Sequence, residues 1–345
     1  MRIITVKNRL SAMFPVLVLT GIVLIGASGC SKKTASASAA SDALTIRVGA
    51  DSAAFSYQFR VAKKAGIFDK YHINAEISTF SYGIDTLNAA LLGETDSAEA
   101  MDFAIASRFS ESNKMRILAT ILISNPAGSR LYVRNDAIRA PGDIAGKRIG
   151  VQKATSNEYL WARFFEKWGI DKNTVNHVYL GSNAELLAAY LAKEIDAFWA
   201  SSDIEKAVLE VPSSRSIGDY SLSGYVGKGY LLLDANFIAK NPEGTERFLK
   251  ALDEATTFIA QHPDETAQYA YEDLKVPVDA ARTWIGAYEY MVRLSQEDLD
   301  QIADVAKWSI ENGLIKNRYD IRDFVDIKPQ RHIPDFNQRT SGRIP

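Results

Sequence analysis

Cysteine is almost absent from this sequence: Cys30 is the only one among 345 residues, so the chain cannot form an internal disulfide. The four histidines, at positions 72, 177, 262 and 332, are far apart, and none has a His-x-x-His or cysteine partner. This spacing argues against a zinc site and against a serine–histidine catalytic pair. We therefore predict no metal, no cofactor and no enzymatic activity, and a domain held together by its apolar core.

An excess of basic charge is also missing. The chain has 40 Lys and Arg against 42 Asp and Glu, with the two signs interspersed, which argues against nucleic-acid binding. The segment from Gly142 to Lys147 is one residue short of a phosphate-binding loop and continues with Arg148 instead of Ser or Thr. The glycines at 224, 227 and 229 precede a predicted strand, whereas a dinucleotide-binding turn follows one. Both motifs are rejected, and the second suits a hinge.

One long apolar run is present, from Ala12 to Ala27, after Arg2, Lys7 and Arg9. It is shorter than the about 20 residues that span a bilayer, and it ends in Ala27-Ser28-Gly29-Cys30. This end resembles the lipobox of bacterial lipoproteins. We predict a signal peptide over 1–29, lipid attachment at Cys30, a flexible tether over 30–43, and a location on the outer side of the membrane, facing the periplasm or the cell exterior. An ordinary secretory signal with an incidental cysteine is the alternative.

Strands and helices are predicted to alternate after the tether, which indicates an α/β fold. Strands are expected at Leu44–Ala50 and Ile73–Phe80, and helices at Tyr57–Gly66 and Gly83–Gly93. Further along the chain the pattern becomes helical, and the predicted helices are Thr245–His262, Asp264–Leu274, Asp279–Arg293 and Ser295–Asn312.

Part of this pattern occurs twice. Asp85–Asp96 aligns without gaps on Glu185–Asp196, 100 residues later, and Arg148–Gln152 corresponds to the strand before the first copy. Two α/β lobes follow from the repeat, with lobe 1 over 44–135, lobe 2 over 136–225, a return to lobe 1 over 226–317 and a tail over 318–345. The two crossings between lobes, near Tyr132–Asp136 and Leu222–Lys228, would form a hinge.

Ligands of open α/β sheets bind beyond the carboxyl ends of the strands. Twelve residues at such places are predicted to face a ligand: Asp51, Ser52, Ser81, Tyr82, Gly83, Met101, Asp102, Thr155, Ser156, Asn157, Trp199 and Ser201. Thr155-x-x-Glu158 is a capping box for the helix Tyr159–Trp168, whose free N–H groups would attract an oxyanion. Asp51 and Asp102 would accept amino groups or a cation, and Tyr82 and Trp199 would stack on a ring. The alternative is that the acids only cap helices and the aromatics only fill the core.

The order of these motifs resembles the periplasmic solute-binding proteins for nitrate, sulfonate, taurine and thiamine-pyrimidine precursors. The resemblance covers most of residues 44–270: Gly83–Asp96, Ala140–Val151, Thr155-Ser156, Glu194–Trp199 and Asn241–Lys250. It implies a type II-like periplasmic-binding-protein fold, in which two α/β lobes joined by a two-segment hinge close on a ligand. By position in the motifs, Ser81, Gly83, Asp102, Thr155, Ser156 and Trp199 would face that ligand. The chain departs from many relatives at Thr155-Ser156 and at Glu99–Met101.

The resemblance also implies a protein that captures a small solute and delivers it to the permease and ATPase subunits of an ABC importer. We expect the protein to be a monomer. The solute class stays open between an aminopyrimidine and an oxyanion such as a sulfonate, taurine or nitrate. A sensory lipoprotein without transport is one alternative. An enzyme on the same scaffold is another, and Asp51 with Asp102 would then be its acid and base. Enzymatic relatives with clustered cysteines and histidines are disfavoured by the composition.

Overall fold

The computed structural model of the chain describes residues 43–153, 155–201 and 204–330. The predicted signal peptide, Cys30 and all of the tether except Ala43 lie outside these residues. None of the helices in the described part is both long and apolar enough to cross a bilayer.

The strands of the described residues are β1 (Leu44–Asp51), β2 (Ile73–Phe80), β3 (Ser97–Met101), β4 (Met115–Ser124), β5 (Ser129–Val133), β6 (Arg148–Gln152), β7 (Asn176–Leu180), β8 (Ala197–Ser201), β9 (Arg215–Asp219), β10 (Lys228–Asp234) and β11 (Tyr288–Arg293). The helices are α1 (Tyr57–Lys64), α2 (Ile67–Lys70), α3 (Gly83–Leu92), α4 (Asp102–Phe109), α5 (Ser156–Trp168), α6 (Asn183–Leu191), α7 (Glu205–Leu209), α8 (Ala235–Lys240), α9 (Pro242–Gln261), α10 (Pro263–Leu274), α11 (Val278–Gly286) and α12 (Gln296–Glu311).

These strands form two sheets, one in each lobe. The first has the order β11-β4-β10-β3-β1-β2 and the second the order β7-β6-β8-β5-β9. Strands β1, β2 and β3 pair in parallel in the first sheet, and β6, β7 and β8 do so in the second. Beside each parallel group lies an antiparallel strand, β10 next to β3 and β5 next to β8. The predicted fold class, two α/β lobes of similar construction, is confirmed.

The internal repeat is visible in three dimensions. Asp96 accepts hydrogen bonds from the backbone N–H of Arg47 at 2.9 Å and from its guanidinium Nε at 3.1 Å. Asp196 accepts the same two bonds from Arg148, at 3.0 and 3.1 Å. Each aspartate N–H donates in return to the carbonyl of its arginine. We call these two pairs the Arg–Asp clamps, and each joins neighbouring parallel strands of one lobe.

Both crossings between the sheets are short, and the first is not where it was predicted. Residues 132–136 were expected to cross, but Tyr132 lies in β5, which pairs with β8 inside the second sheet. The chain crosses instead at 125–128, where Asn125 caps a single 3₁₀ turn that contains Pro126. The second crossing runs from Tyr220 to Gly227, between β9 and β10, which overlaps the predicted 222–228.

The C-terminal part differs from its prediction in two places. The expected helix over Asp279–Arg293 ends at Gly286, and β11 then pairs antiparallel with β4 at the edge of the first sheet. In the predicted tail, Ile321 and Phe324 are buried and the Phe324 ring lies 4.8 Å from that of Phe109. Both the strand β11 and the burial of Phe324 depend on contacts with residues far away in the chain. The local periodicity of the sequence does not reveal such contacts.

Candidate ligand cleft between the lobes

Two adjoining cavities, of about 600 and 370 Å³, lie where the lobes meet. They share Ala53, Met101, Ser124 and Tyr288 from the first lobe and Ser156 from the second. We call the two together the cleft. It lies at the carboxyl ends of β1, β3, β4 and β6, which is where ligands of α/β sheets bind.

Another space, an open groove of about 700 Å³, runs between α12 and residues 318–322. Its walls come from this C-terminal part of the chain alone, so opening or closing of the lobes would not enclose a solute there. The cleft, which both lobes line, is the better candidate.

Six of the twelve predicted ligand-facing residues line the cleft: Asp51, Tyr82, Gly83, Met101, Thr155 and Ser156. Gly83 begins α3 beside β3, and a Cβ at this position would lie 2.9 Å from the carbonyl oxygen of Glu99. The close approach of helix to strand therefore requires glycine at the cleft wall.

Three of the other predicted residues, Ser52, Ser81 and Asn157, do not line the cleft. The side chain of a fourth, Ser201, is not described. Ser52 and Ser81 are exposed, and Ser52 Oγ donates to the Ser81 carbonyl at 3.4 Å. The Asn157 side chain turns back, and its Oδ1 accepts the backbone N–H of Gln152 at 3.0 Å. Ser201 ends β8 opposite Ser129, and its side chain lies outside the described part.

Asp102 was expected to face the ligand, but it is fully buried and does not line either cavity. Its carboxyl accepts hydrogen bonds from Tyr225 at 2.7 Å, from Gln301 at 3.0 Å and from the N–H of Phe103 at 2.8 Å. Tyr225 belongs to the second crossing and Gln301 to α12, so Asp102 ties three segments of the chain together at the hinge. Burial raises its pKa to about 6, and the bonds from Tyr225 and Gln301 oppose that rise.

Trp199 is also a core residue rather than part of the cleft wall. It is 3% exposed, and its ring packs against Trp161, Phe164 and Tyr220 at centroid distances of 5.3–5.9 Å. Successive side chains of a strand point to opposite faces, and Trp199 lies on the face of β8 that packs against α5. Its ring is therefore buried in the core and does not face the cleft.

Asp51 is the acidic residue of the cleft, and a second carboxyl lies behind it. The backbone N–H of Asp51 donates to Glu99 Oε1 at 2.6 Å, and Asp51 Oδ1 accepts the N–H of Ala53 at 2.9 Å. Asp51 is 6% exposed and Glu99 is fully buried. Burial raises the pKa of Asp51 to about 6. Burial and the neighbouring Asp51 charge raise the pKa of Glu99 well above its ordinary value.

The amino-terminal end of α5 is less open to an anion than the sequence suggested. Thr155 caps the helix, with its Oγ1 accepting the N–H of Asn157 at 3.2 Å and its carbonyl accepting the N–H of Glu158 at 3.2 Å. Glu158 also places an acidic side chain in the first turn. Two donors of the first turn are therefore already bonded, and the helix dipole is partly neutralised.

Sequence reasoning missed several residues of the cleft wall, mainly aromatic ones: Phe55, Phe103, Tyr220, Tyr225, Trp284 and Tyr288. Tyr288 was hidden by the incorrect extension of α11. Glu99 offered a usable signal, because a glutamate inside the small-residue strand Ser97–Met101 has to be buried. Among the described residues, no group of histidine, cysteine and carboxylate side chains is arranged to bind a metal ion.

A comparison with known protein families shows which family this chain belongs to. Residues 56–266, more than half of the chain, match the family model described as NMT1/THI5 like. The chain belongs to the NMT1/THI5-like family. The matched range includes the second lobe, part of the first and both crossings, and the predicted resemblance is confirmed.

Individual relatives of this family member are distant in sequence. A Haemophilus influenzae protein assigned to thiamine biosynthesis is 23% identical over 279 residues, which are 76% of this chain and 85% of the relative. Among solved structures, the periplasmic aliphatic sulphonate binding protein SsuA from Escherichia coli superposes with a TM-score of 0.70 at 18% identity, covering 81% of this chain and 97% of SsuA. The alkanesulfonate-binding protein SsuA from Xanthomonas axonopodis pv. citri, bound to MOPS, gives 0.63 at 19% identity, covering 82% and 98%. These two structures share the fold.

Proposed function

We propose that this chain is an exported lipoprotein that captures a small polar solute between its lobes and delivers it to an ABC importer. The observation that carries the proposal is the cleft itself, a cavity at the strand ends that residues of both lobes line. A site divided between two lobes is completed only when they approach each other, which couples solute binding to a change of shape.

The hinge is suited to such a movement. The lobes are joined by two short crossings, 125–128 and 220–227, and Asp102 anchors the second of them to the first lobe through Tyr225. Ser124, Asn125, Tyr225 and Gly227 all line the smaller cavity, so a solute in the cleft would lie directly against the segments that bend.

The family and fold support the transport role. The SsuA structures are sulfonate-binding proteins, and relatives from Brucella species are named as binding proteins. The predicted signal peptide and Cys30 would hold the protein at the outer face of the membrane, with the segment up to residue 43 as a tether. Permease and ATPase subunits would be the partners. The enzyme alternative loses support, because Asp102 does not share the cleft with Asp51.

A thermal-shift screen of the purified protein tests solute binding. The panel contains sulfonates, nitrate, aminopyrimidines, amines and amino acids, and a solute at 100 times its Kd would add about 2.7 kcal/mol to the free energy of unfolding. Ser156→Trp fills the cleft and is expected to abolish the shift. Ser52→Trp, a matched change of an exposed serine outside the cleft, is expected to leave it intact.

Uptake measurements separate transport from sensing. Cells that lack the protein are expected to lose import of the labelled solute, and the wild-type gene but not Ser156→Trp should restore it. Unchanged uptake in the deletion strain, with binding intact in vitro, would instead favour the sensory alternative. A folded protein that binds no member of the panel would contradict the proposed function.

A further inference from the structure

The carboxyl groups of Asp51 and Glu99 are buried without a salt bridge. No lysine or arginine nitrogen of the described residues lies within 4.0 Å of either carboxyl. Buried carboxyls normally have such a partner, because removing an unpaired charge from water is costly. A buried acid without a cation in contact, at the wall of a cleft, is a candidate binding group.

The neighbouring cation does not fill this role. Arg60 is buried on α1, and its Nε donates to Ser56 Oγ at 2.9 Å. Its Nη2 donates to the backbone carbonyl of Asp51 at 2.8 Å, and Nη1 lies 3.9 Å from Asp273. Burial raises the pKa of Asp51 and Glu99, and the positive charge of Arg60 only partly opposes that rise. The hydrogen bonds of the guanidinium hold the end of β1 in place and leave the carboxyl of Asp51 without a direct cationic contact.

Two further polar atoms at this place have no hydrogen-bond partner among the described residues. They are Glu99 Oε2 and the hydroxyl of Tyr57, both in fully or almost fully buried side chains. Burial and then the Asp51 charge raise the pKa of Tyr57, which places its hydroxyl in the electrostatic field of that carboxyl. The carboxyl of Asp51 at the cleft wall is thus backed by two buried polar groups that retain bonding capacity.

The rest of the cleft wall is largely apolar. Phe55, Phe103 and Tyr288 line the larger cavity together with Ile84 and Leu122. Arg108 is the one basic residue among the described residues that line the two cavities, and its Nε already donates to Asn88 at 2.7 Å.

We propose that the cleft selects a solute that presents a protonated nitrogen group, an amine, amidine or guanidine, to Asp51, while Phe55, Phe103 and Tyr288 hold its apolar or flat body. The solute then supplies the missing partner of the buried acid. The Asp51 carboxylate attracts this positive charge and would repel a sulfonate or nitrate at the same position, and the low dielectric of the site strengthens both interactions. This inference rests on the proposed function and names its solute class.

Matched probes test the charge preference in the wild-type protein. Benzamidinium, benzamide and benzenesulfonate present a cation, a neutral donor and an anion on one ring, and propylammonium, propionamide and propanesulfonate do so on an aliphatic body. Calorimetric titration is expected to give at least a tenfold lower Kd for the cation than for the other members in at least one series. An anion or neutral member that binds as well as the cation, or cations that fail to bind in both series, would overturn the inference.

Asp51→Asn is expected to raise the Kd of the bound cation at least tenfold and to leave the neutral probe unaffected. Asp85→Asn is the matched control, since it removes the same charge from the first turn of α3 without lining the cleft. Equal losses in the two variants would overturn the assignment to Asp51. If Asp51→Asn does not fold, the wild-type ranking decides alone. Sulfonate binding that Ser156→Trp abolishes would refute the cation preference and leave the proposed function standing.

Discussion

The ionised carboxyl of Asp51, which is proposed to bind the solute, lowers the stability of the folded protein. Its pKa is raised from 3.8 to about 6, chiefly by burial, so the folded state holds this proton more tightly than the unfolded chain. The resulting stability is fully present below about pH 4 and is lost as the pH rises through 6. A rise of this size corresponds to about 3 kcal/mol of destabilisation near pH 7.5.

Asp51→Asn is therefore expected to raise the free energy of unfolding at pH 7.5 by up to about 3 kcal/mol and to change it little at pH 4. Urea unfolding at the two pH values measures the difference, with Asp85→Asn as the control. A variant that is equally destabilised at both values would show that the Asp51 carboxylate is paired in the folded protein.

Asp102→Asn is expected to cost about 1–3 kcal/mol in lost hydrogen bonding, because the NH₂ group of the new amide faces a donor in either orientation. Near neutral pH the removal of a buried charge, whose pKa burial raises to about 6, offsets part of this cost. One carboxyl oxygen accepts from Phe103 and Tyr225, and the other from Gln301 and Tyr225. Rotating the Gln301 amide would remove the donor to the Val226 carbonyl. Chemical unfolding tests this cost, and a variant as stable as the wild type would contradict the assigned role of Asp102 at the hinge.

Trp199→Ala is expected to destabilise the protein by about 3–5 kcal/mol through the cavity it creates. Trp199→Phe should cost clearly less, because the indole Nε1 makes no hydrogen bond to the described residues. Solute affinity of the folded Trp199→Phe protein should be unchanged, which calorimetry can measure. A large loss of affinity would restore Trp199 to the ligand-facing set.

At the scale of elements, the packing of β10 against Phe55 connects the first sheet to the cleft. A Cβ on Gly229 would lie 2.3 Å from the Phe55 ring, and this ring is part of the cleft wall. Gly229→Ala is therefore expected to push the ring toward the cleft and to weaken solute binding as well as folding.

Gly150→Ala is the matched control in the second lobe. Its Cβ would lie 2.6 Å from Leu186 and Ile195, neither of which lines the cleft. Folding should weaken while the affinity of the folded fraction stays the same. Parallel calorimetric and unfolding titrations of the two variants compare these outcomes, and equal affinities would show that Phe55 does not contribute to binding.

The elements that were predicted correctly are those whose signal is local. The helix α3 follows from apolar residues at a helical period and from Gly93, whose positive φ of 85° ends it. Thr155 likewise caps the start of α5, but its Oγ1 accepts the N–H of Asn157 and the predicted capping box with Glu158 does not form. By contrast, β11 exists because β4 offers it an edge, and the preceding residues continue a helical pattern that gave no sign of the change.

The rule that ligands bind beyond the carboxyl ends of strands predicted some of the residues that line the cleft. Asp51, Met101 and Ser156 follow from that rule, and they line the cleft. Asp102 and Trp199 occupy equally suitable sequence positions, but their side chains point into packed interfaces. Whether a side chain next to a strand end faces a cavity or a neighbouring helix depends on packing between distant segments, which a single sequence does not display.

At the scale of the whole molecule, the lobes also meet outside the cleft. Tyr159 on α5 donates to Asp304 on α12 at 2.6 Å, and its ring packs against Tyr225 and Trp308. Lys167 and Trp168, at the other end of α5, donate to carbonyls of the second crossing. Neither Tyr159 nor Asp304 lines the cleft, so their hydrogen bond contributes to the balance between lobe positions without contacting a solute.

The aspartates of the Arg–Asp clamps come directly before β3 and β8, whereas the cleft lies at the carboxyl ends of the strands. The residues that hold neighbouring strands together are therefore distinct from those that meet the solute. Substitutions at the cleft wall can change which compound is recognised and leave the clamps unaltered. In a lineage that encounters new nutrients, such a division lets ligand preference diverge faster than architecture.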